Sequence, residues 1–530
     1  MTILIKKYRF VLFFLLPFFA SQKLTAQQLN IPLNNELNYR IESNFYSDNN
    51  FFSGIKPYKI QKNFIDSLNS LSLIKTDEKF LDYLLNKNVF EYGKGNFSID
   101  ANPLITLMPE YSSETKTFLS NYRFGLNIGA YIGKKLSVNF TGFYGITSFD
   151  NYWQGFVDST NVLPHYGEYI AHNGSNYGFW SLNGYLSYQP IKYFNFEVGK
   201  GKNFFGEGYR SLFLSDNSNS SPYFKTTVDI WHFRYVWLIG FLKDENTNIP
   251  NVWKNKLQFT HFLSWNATKW LNFNFFESII SNPVDSLGIT YLNFNYLNPV
   301  IFYRPVEFMG GSADNALMGA GLTFKLWKKY YFYSQFLIDE FVISEIKAGN
   351  GWWGNKFGIQ AGLKFFDLFN VKNLMILGEI NIIRPYTYSY SNSILNYGNY
   401  KQPLAHPSGA NLKEAVFIAH YNKKRFSVQF KTVYQTSGLD TAEISFGKDI
   451  YKPYTQRSDD YGHSIAQGLE TNYWSAEVKT AWMVNFVNNT QIQLTISTYQ
   501  IDNRKYCYDN FLISFGIKTL IFNESTDIIY

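Results

Sequence analysis

The sequence contains a single cysteine, Cys507, among its 530 residues. One cysteine excludes an internal disulfide framework and a metal site built from several thiolates. After the first 26 residues the sequence also lacks any apolar run of about 20 residues, the length that a membrane-spanning helix needs. These two absences exclude a disulfide-stapled domain and a bundle of transmembrane helices.

The motifs of common catalytic sites are missing as well. The sequence has no H-E-x-x-H metal motif and no G-x-S-x-G nucleophile elbow. Its seven histidines are scattered and form no tight cluster with aspartates. A Ser–His pair that forms only in the folded protein stays open, but no pattern selects one. We therefore predict that the protein is not an enzyme and requires no cofactor and no metal.

The chain carries little excess charge once its N-terminus is set apart. The formal net charge is +7, and Lys6, Lys7, Arg9 and Lys23 supply four of these charges in a region without acids. Residues 27–530 therefore carry +3. Nucleic-acid binding depends on a concentrated basic patch, so we predict no nucleic-acid partner.

Residues 1–26 have the features of an export signal. Basic residues precede an apolar run, Phe10–Ala20, which is too short to cross a bilayer as a helix. We predict cleavage after Ala26. No cysteine lies near this position, so a lipoprotein anchor is excluded.

Aromatic residues make up 20% of the chain, although its mean hydropathy is only −0.22. Many aromatics among many polar residues suit strands that have one apolar face and one wet face. From Gly95 onward apolar and polar residues alternate, as in Leu136–Phe140. The same alternation recurs in residues 271–275, 426–431, 474–479 and 492–496. A period of two predicts β-strands.

Short and long connections broadly alternate between these predicted strands. The short ones are Ile132–Lys135, Gln189–Lys192, Ala267–Lys269, Leu326–Lys329 and Tyr421–Lys424. The long ones are Asp150–Asn176, Asn217–Pro222, Ser281–Gly311, Tyr386–Leu412 and Thr436–Asn472. Outer-membrane barrels have this arrangement, with tight periplasmic turns and longer outer loops. We predict an all-β fold over residues 95–530, a transmembrane antiparallel β-barrel of about 18 strands (between ~16 and ~18).

Two soluble β-folds are alternative interpretations of the alternating pattern. A propeller requires a repeat of about 40 to 50 residues, and the sequence shows none. A sandwich gives a similar alternation, but it rarely needs so many long aromatic strands. The export signal and the missing apolar helix favour the barrel. Phe511, Ile513 and Phe515 predict a final strand that runs to Leu520–Phe522.

Residues 27–94 differ from the remainder of the chain. Residues 27–55 have a weak pattern and predict an irregular lead-in. Between residues 58 and 90, apolar residues recur at steps of three and four, beginning at Ile60 and again at Phe80. This spacing predicts two short amphipathic helices. We interpret the whole segment as a small helical cap on the periplasmic side.

A glycine-rich stretch, Glu197–Asp216, follows one of the predicted strands. A phosphate-binding loop is excluded because G-x-x-x-x-G-K-[ST] is absent. Polar groups inside a wide barrel must satisfy one another, so we predict a network of lumen side chains. Its candidate members are Glu197, Lys200, Lys202, Arg210, Asp216, Arg304, Glu307, Asp339 and Glu340.

The long connections are rich in aromatic and amide residues, which suits contact with sugars. Tyrosine and tryptophan rings pack on sugar faces while polar groups bind hydroxyls. The candidate contact residues are Trp153, His165, Tyr166, Tyr169, Trp352 and Trp353. Aromatic belts at the membrane surface explain part of the same aromatic excess.

Five blocks of the sequence resemble those of the capsule-assembly Wzi family of outer-membrane barrels. They are Gly199–Asp216, Leu297–Phe308, Gly310–Gly319, Phe336–Phe341 and Tyr400–Asn411. The last four are similar to the Bacteroidota branch of that family, which includes the gliding-motility protein RemB. The resemblance implies an 18-stranded barrel with helices at its periplasmic mouth and a lectin-like role in holding surface polysaccharide.

The combined expectation is a protein of the cell outer membrane that binds or organises cell-surface polysaccharide. Its expected partners are outer-membrane lipid, polysaccharide and, through the resemblance, gliding or adhesion machinery. The alternative is an outer-membrane channel for small solutes, which a polar lumen would also suit.

Overall fold

The computed structural model of the chain describes residues 28–46, 52–61, 78–245, 252–284, 294–299, 314–327 and 329–530. The predicted export signal lies outside these residues, as do Arg304, Glu307 and most of the first predicted amphipathic helix. Among the described residues, eighteen antiparallel strands form one closed barrel.

The barrel strands are numbered in chain order. They are β1 Phe97–Leu107, β2 Asn121–Ile132, β3 Leu136–Thr147, β4 Asn176–Ile191, β5 Phe194–Gly201, β6 Ser221–Ile230, β7 Phe233–Glu245, β8 Trp253–Asn266, β9 Leu271–Ser281, β10 Asn315–Leu326, β11 Tyr330–Glu340, β12 Lys356–Phe366, β13 Leu374–Ile383, β14 Leu412–Lys423, β15 Phe426–Leu439, β16 Leu469–Asn485, β17 Thr490–Asn503 and β18 Cys507–Thr519.

The chain also forms helices and short strands in addition to the barrel strands. The helices are α1 Asn35–Tyr46, α2 Lys79–Asn86, α3 Asn151–Thr160 and α4 Ile343–Ala348, with 3-10 turns at Phe294–Leu297, Leu368–Asn370, Ser393–Leu395 and Tyr454–Gln456. The short strands are Gln28–Asn30, Ile55–Lys56, Lys59–Gln61, Phe90–Lys94, Glu110–Ser112, Thr117–Leu119, Val162–Leu163, Gly167–Glu168, Ala171–Asn173, Phe204–Phe205, Gly398–Asn399 and Gln402–Pro403. No helix within the described ranges is long and apolar enough to cross a membrane.

The barrel closes where its last strand meets its first. Ile517 and Lys518 of β18 pair with Leu107 and Thr106 of β1, and residues 512–514 pair with Glu110–Ser112 just beyond β1. Every other strand pairs with its neighbour in the chain, so the sheet presents no free edge between β18 and β1. The predicted barrel of about 18 strands is confirmed.

Alternation along each strand separates an apolar outer face from a polar lumen. On β13, Ile380 is 55% exposed on the outside, whereas Glu379 and Asn381 beside it are buried inside. The same division holds on β5, where Val198 is exposed and Glu197 is buried. Successive side chains of a strand point to opposite faces, so the sequence period translates directly into a lipid-compatible surface.

The two ends of the barrel differ in their connections. At one end, the short-turn end, strands are joined by residues 133–135, 192–193, 231–232, 267–270, 327–329, 367–373, 424–425 and 486–489. The predicted short turns all lie there. The opposite, long-loop end carries α3, α4 and the residue 440–468 connection.

Four segments of the chain lie inside the lumen. They comprise residues 28–61 as far as described, the β5–β6 connection (202–220), the β13–β14 connection (384–411) and the tail that follows β18 (520–530). Most of their central residues are buried, including Phe205, Leu212, Tyr397 and Ile529. The wide barrel is thus filled by its own chain.

The lumen position of α1 corrects the predicted N-terminal organisation. Helix α1 lies where the sequence predicted an irregular lead-in, and Ile60 lies in a strand that pairs with Gln28–Asn30. The helix was not predicted because its buried residues are mixed: Leu37 and Tyr39 are buried, but so is Glu42, which binds Lys364 of β12 at 3.0 Å and Lys56 at 3.5 Å. Burial raises the pKa of Glu42, but these two lysines outweigh it and lower the pKa below its ordinary value.

Helix α2 coincides with the second predicted amphipathic helix and lies at the short-turn end. Arg425, in the β14–β15 turn, donates to the Leu85 carbonyl and to Asn86 Oδ1 at 3.1 and 2.8 Å. Phe80 and Leu84 of the helix are exposed. The helix is therefore held by its C-terminal turn, with its apolar side directed away from the barrel.

The cost of adding a charge to the outer face should depend strongly on where along the strand it is placed. Phe417, in the middle of β14, is 40% exposed, and Phe369, in the β12–β13 turn, is 83% exposed. We expect Phe417→Arg to lower the free energy of unfolding in lipid vesicles by about 2–4 kcal/mol, because arginine is costly near the bilayer midplane. Phe369→Arg, the matched control, should cost about 0–1 kcal/mol near the interface. Equal effects in denaturant titrations would contradict a lipid-facing β14.

Candidate functional site

The glycine-rich β5–β6 connection turns inward and joins the N-terminal segment. Phe204 and Phe205 pair with Lys56 and Ile55 in a two-residue ladder. A Cβ on Gly208 would lie 2.2 Å from Glu379 Oε2, so only glycine allows the loop to approach this carboxylate. The glycines therefore bring the following arginine to the middle of the lumen.

Arg210 is the centre of a buried ionic network. Its guanidinium binds Glu414 of β14, with Nη2 3.0 Å from Oε1, and Asp527 of the tail, with Nη1 3.5 Å from Oδ1. Nη2 also donates to the Asp527 carbonyl at 2.7 Å. The backbone amides of Tyr209 and Arg210 donate to Glu379 of β13 at 2.8 and 3.1 Å. We call Arg210, Glu379, Glu414, Asp527 and His406 the central network.

For Arg210 and Asp527, charge pairing changes the pKa more than burial does. Burial lowers the pKa of Arg210, but Asp527 and Glu414 together raise it well above its ordinary value. Burial raises the pKa of Asp527, yet Arg210 and Lys431 lower it below its ordinary value. Both groups are therefore charged at neutral pH, as an ion pair inside a barrel must be to remain stable.

His406 completes the network as a neutral side chain. Its Nε2 lies 2.9 Å from Glu414 Oε2, and the Ser408 amide donates to Nδ1 at 3.3 Å. The Nε2–H tautomer satisfies both contacts. Burial lowers the pKa of His406 despite the nearby Glu414 carboxylate.

Lys202 and Asp216 join the same loop to the tail. Lys202 donates to the Asp216 carbonyl at 3.1 Å and lies over the Phe522 ring at 5.6 Å. Asn523 donates to Asp216 Oδ2 at 2.7 Å. Burial lowers the pKa of Lys202 to about 8. The two ends of the loop thus depend on residues that follow β18.

Glu197 lies in a second polar cluster, on the wall formed by β5 and β6. Its carboxylate binds Lys225 at 2.8 Å and Lys59 at 3.6 Å, and accepts from Tyr223 at 2.6 Å and Asn30 at 3.1 Å. Two of these partners come from the N-terminal segment, which this carboxylate therefore anchors to the wall.

Asp339 and Glu340 share one lysine at the long-loop end of β11. Lys356 lies 3.1 Å from Asp339 and 3.2 Å from Glu340. Asp339 also accepts from the Tyr388 amide at 2.8 Å, which fixes the β13–β14 connection inside the barrel. The pair therefore has the geometry of a structural ion cluster.

Lys200 is placed differently from its prediction. It shares the outer face of β5 with Phe196 and Val198 and is exposed, so it is not part of the lumen network. The glycine-rich context suggested a loop, but strand pairing continues through Gly201, and the strand period therefore sets the direction of Lys200.

Sequence reasoning missed Glu42, Glu379, Glu414, His406 and Asp527. Glu379 had a usable signal, because it alternates with outward apolar residues on β13 in the same way as the predicted strands. Asp527 had none, since it lies in a short polar stretch, residues 524–527, beyond the last predicted strand. Its role depends on the path of the tail through the lumen.

Two of the residues predicted to contact glycan are instead buried and hold other segments of the chain in place. Trp153 is 4% exposed and packs edge-on against Tyr530 at 4.8 Å. His165 is 5% exposed, and its ring nitrogens lie 2.8 Å from the Asn217 carbonyl and 2.9 Å from the Ser525 carbonyl. His165 therefore joins its own connection to the β5–β6 connection and to the tail. A polymer cannot reach either ring, which corrects both predictions.

Tyr166 and Tyr169 occupy the same connection nearer the surface. Tyr166 is half-buried, hydrogen-bonded to Glu524 and 5.2 Å from the Arg123 guanidinium. Tyr169 is half-buried and packs against His172 and Tyr177 with ring centroids 6.0 and 4.9 Å away. Of the two, Tyr169 is the one beside exposed polar groups.

Trp352 and Trp353 form a half-buried surface cluster with the residue 440–468 connection. The Trp353 ring contacts Tyr454 at 4.6 Å, Trp352 at 5.8 Å and the Arg457 guanidinium at 4.0 Å. Arg457 donates to Asp460 at 2.6 and 2.9 Å. We call these five residues the outer aromatic cluster.

The outer aromatic cluster is fixed by backbone pairing between two connections. Trp353 N donates to the Asp460 carbonyl, and the amides of Gly462 and His463 donate to the carbonyls of Asn350 and Gly351, each at 2.9 Å. Rings held on paired backbone lose little entropy when a ligand binds. Within the described part of the chain, no group of three His, Cys, Asp or Glu side chains could hold a metal.

We expect Arg210→Ala to lower the free energy of unfolding by about 3–5 kcal/mol, because the substitution strands buried carboxylates. Arg457→Ala is the matched control, since Arg457 pairs with the 59% exposed Asp460, and it should cost about 1 kcal/mol or less. Adding Glu414→Gln to Arg210→Ala should recover part of the loss. An Arg210→Ala melting curve equal to that of the native protein would refute the central network as a stabilising element.

The neutral state of His406 predicts weaker folding in mild acid. Unfolded histidine takes up a proton near pH 6.5, whereas folded His406 resists it, so stability should fall from pH 7.5 to 5.5. His406→Gln keeps an Nε2 donor for Glu414 and should lose less stability across this range. His232→Gln, at an exposed position, is the control. Identical pH profiles for the native protein and His406→Gln would contradict the assignment.

The comparisons with known proteins bear on the fold. No family model matches the chain, and a search of curated proteins found no match. Among solved structures, the chain is similar to Wzi of Escherichia coli, described as an outer-membrane protein involved in group 1 capsule assembly and as a carbohydrate-binding β-barrel. The TM-score is 0.55 at 11% identity, over 93% of this chain and 100% of that chain.

Two Pseudomonas aeruginosa outer-membrane barrels are also similar, at lower scores. OccK8 (OprE) has a TM-score of 0.43 at 11% identity, covering 79% of this chain and 98% of its own. OprD has a TM-score of 0.42 at 8% identity, covering 80% and 95%. These scores are too low to bear on function. The likeness to Wzi shows the fold, which is that of an outer-membrane β-barrel.

Proposed function

We propose that the protein binds cell-surface polysaccharide at the long-loop end of its barrel and holds it at the outer membrane. The observation that carries this proposal is the outer aromatic cluster. Trp352 and Trp353 are half-buried, Trp353 lies beside the Arg457–Asp460 pair, and Trp352 packs against Trp353. An apolar ring next to hydrogen-bonding charges is the chemistry that recognises a sugar face and its hydroxyls.

The orientation of the barrel supports contact with an external polymer. Short turns of outer-membrane barrels lie on the periplasmic side and longer loops lie outside. In that orientation the outer aromatic cluster faces away from the cell, on the side where surface polysaccharide lies. Weak contacts suffice for retention, because many barrels that face one repeating polymer add avidity.

The similarity to Wzi supports the same proposal, since that protein is described as carbohydrate-binding and involved in capsule assembly. The sequence blocks that resemble those of the Wzi family also support it. Their likeness to the Bacteroidota branch that includes RemB extends the proposal to gliding or adhesion. In a host that glides, polysaccharide held by this barrel would contribute to surface contact.

A channel for small solutes is the alternative, and the filled lumen gives it less support. The N-terminal segment, two connections and the tail all lie inside the barrel, and the central network joins both connections and the tail across its middle. Free diffusion of a solute would require these buried contacts to open. A holding protein has no such requirement.

The test is the ratio of cell-bound to shed polysaccharide. In a deletion strain complemented with Trp353→Ala, we expect secretion to be normal and the cell-bound fraction to fall several-fold, because the ring that packs on the sugar is lost. Trp231→Ala is the matched control: Trp231 is 88% exposed in a short-turn connection, and its loss should leave retention unchanged.

Folding of both variants is checked by the gel shift between unheated and boiled samples. Shortening the Asp150–Asn176 connection should reproduce only part of the retention defect, because the outer aromatic cluster stays in place. Normal retention in the deletion strain would refute the proposal. Normal retention together with loss of uptake of a small solute would favour a channel.

A further inference from the structure

A cavity of about 590 Å³ lies at the opposite, short-turn end of the barrel. It is bounded by the β1–β5 wall on one side and by the N-terminal segment on the other, with the β16–β17 turn at its mouth. Its volume is in the range of sites for small ligands, which is about 300–1,000 Å³. The outer aromatic cluster and the central network are not part of its lining.

One wall of the cavity is a row of neutral hydrogen-bonding side chains. Strand register places Asn102 opposite Asn127, Asn127 opposite Thr141 and Thr141 opposite Asn183, and the alternation directs all four into the lumen. Asn127 donates to Thr141 at 2.7 Å. We call these four residues the amide row.

The amide row has one hydrogen-bonding position that the protein leaves open. Asn183 is 6% exposed, and its Nδ2 donates to Ser181 at 2.8 Å. Its Oδ1 has no hydrogen-bond partner among the residues that the structure describes. The position across the ladder on β5 is glycine, Gly201, because Gly184 pairs with Lys200. A buried acceptor without a partner costs about 1–3 kcal/mol, and a rotation of the Asn183 amide toward the cavity would let a ligand donor remove that cost.

The facing wall is apolar and comes from the N-terminal segment. Leu29, Ile31 and Leu37 line it, together with Phe486 of the β16–β17 turn. Arg40 is also present, but its guanidinium stacks on Phe486 at 4.0 Å. The cavity therefore offers neutral donors and acceptors on one side and an apolar surface on the other.

Three charged groups that line the cavity are already used by the protein, and Lys200, which also borders it, directs its side chain to the outer face of β5. Lys87 pairs with Asp82 at 2.5 Å, Lys202 donates to the Asp216 carbonyl, and Glu91 accepts from Asn88 at 3.0 Å. A phosphate or carboxylate ligand would find no dedicated cation among these three pairs. A hydroxyl, in contrast, both donates and accepts and so matches amide side chains.

We propose that this cavity is a second binding site, which takes a short neutral saccharide from the short-turn side of the barrel. The amide row binds its hydroxyls, Asn183 Oδ1 accepts from one of them, and the apolar wall packs against its C–H face. The site goes beyond the proposed retention of polysaccharide at the long-loop end and uses none of the same residues.

The experiment is calorimetric titration of the purified full chain with maltotriose, cellotriose and N,N′,N″-triacetylchitotriose. We expect at least one of these probes to bind, and Asn183→Leu to weaken that binding about tenfold or more, the effect of losing one ligand hydrogen bond in a buried site. Thr141→Val, which removes a single hydroxyl, should weaken it as well. The gel shift between unheated and boiled samples verifies that each variant is folded.

Asn274→Leu is the matched control. Asn274 is also lumen-facing and 5% exposed, and its Oδ1 likewise has no partner in the described ranges, but it lies on β9 outside the cavity. It should leave binding unchanged. Binding of none of the three probes, or equal losses in Asn183→Leu and Asn274→Leu, would overturn the proposal. Trp353→Ala should not alter this binding, so failure at one end of the barrel is distinguishable from failure at the other.

Discussion

The need to neutralise charge inside a wide barrel governs this structure. A lumen enclosed by eighteen strands is too broad for wall side chains alone to fill, and the chain fills it with its own segments. Arg210 makes this possible, because it binds Glu414 of the wall and Asp527 of the tail at once. A single buried cation thereby holds together a loop, a strand and a segment more than 300 residues apart in the chain.

The barrel was predictable because its determinants are local. Leu136, Val138 and Phe140 reveal their strand through the side-chain period alone, and the short turns could be placed from nearby residues. The contents of the lumen are set by contacts between distant segments. Helix α1 buries Glu42 against Lys56 and Lys364 alongside Leu37 and Tyr39, so its buried residues do not form the purely apolar stripe by which helices are recognised.

The candidate sites show the same difference between local determinants and contacts of distant segments. Trp352 and Trp353 were identifiable as aromatic residues in a long connection, but their partners Tyr454 and Arg457 lie about 100 residues later. Trp153 and His165 are residue types that suit sugar contact equally well, yet both are buried and pack against other segments. Residue type indicates what a loop could bind, and only the packing of the loops decides which rings a polymer can reach. The amide row is likewise visible only through strand register.

The tail after β18 imposes an order on assembly. Residues 520–530 contact the N-terminal segment through Asn523, the central network through Asp527 and helix α3 through Tyr530, whose ring stacks on Phe156 at 3.8 Å. These partners come from three separate parts of the chain, so the tail can complete its contacts only when all three are in position. The tail therefore acts as a latch that joins the N-terminal segment, the central network and helix α3 to one another.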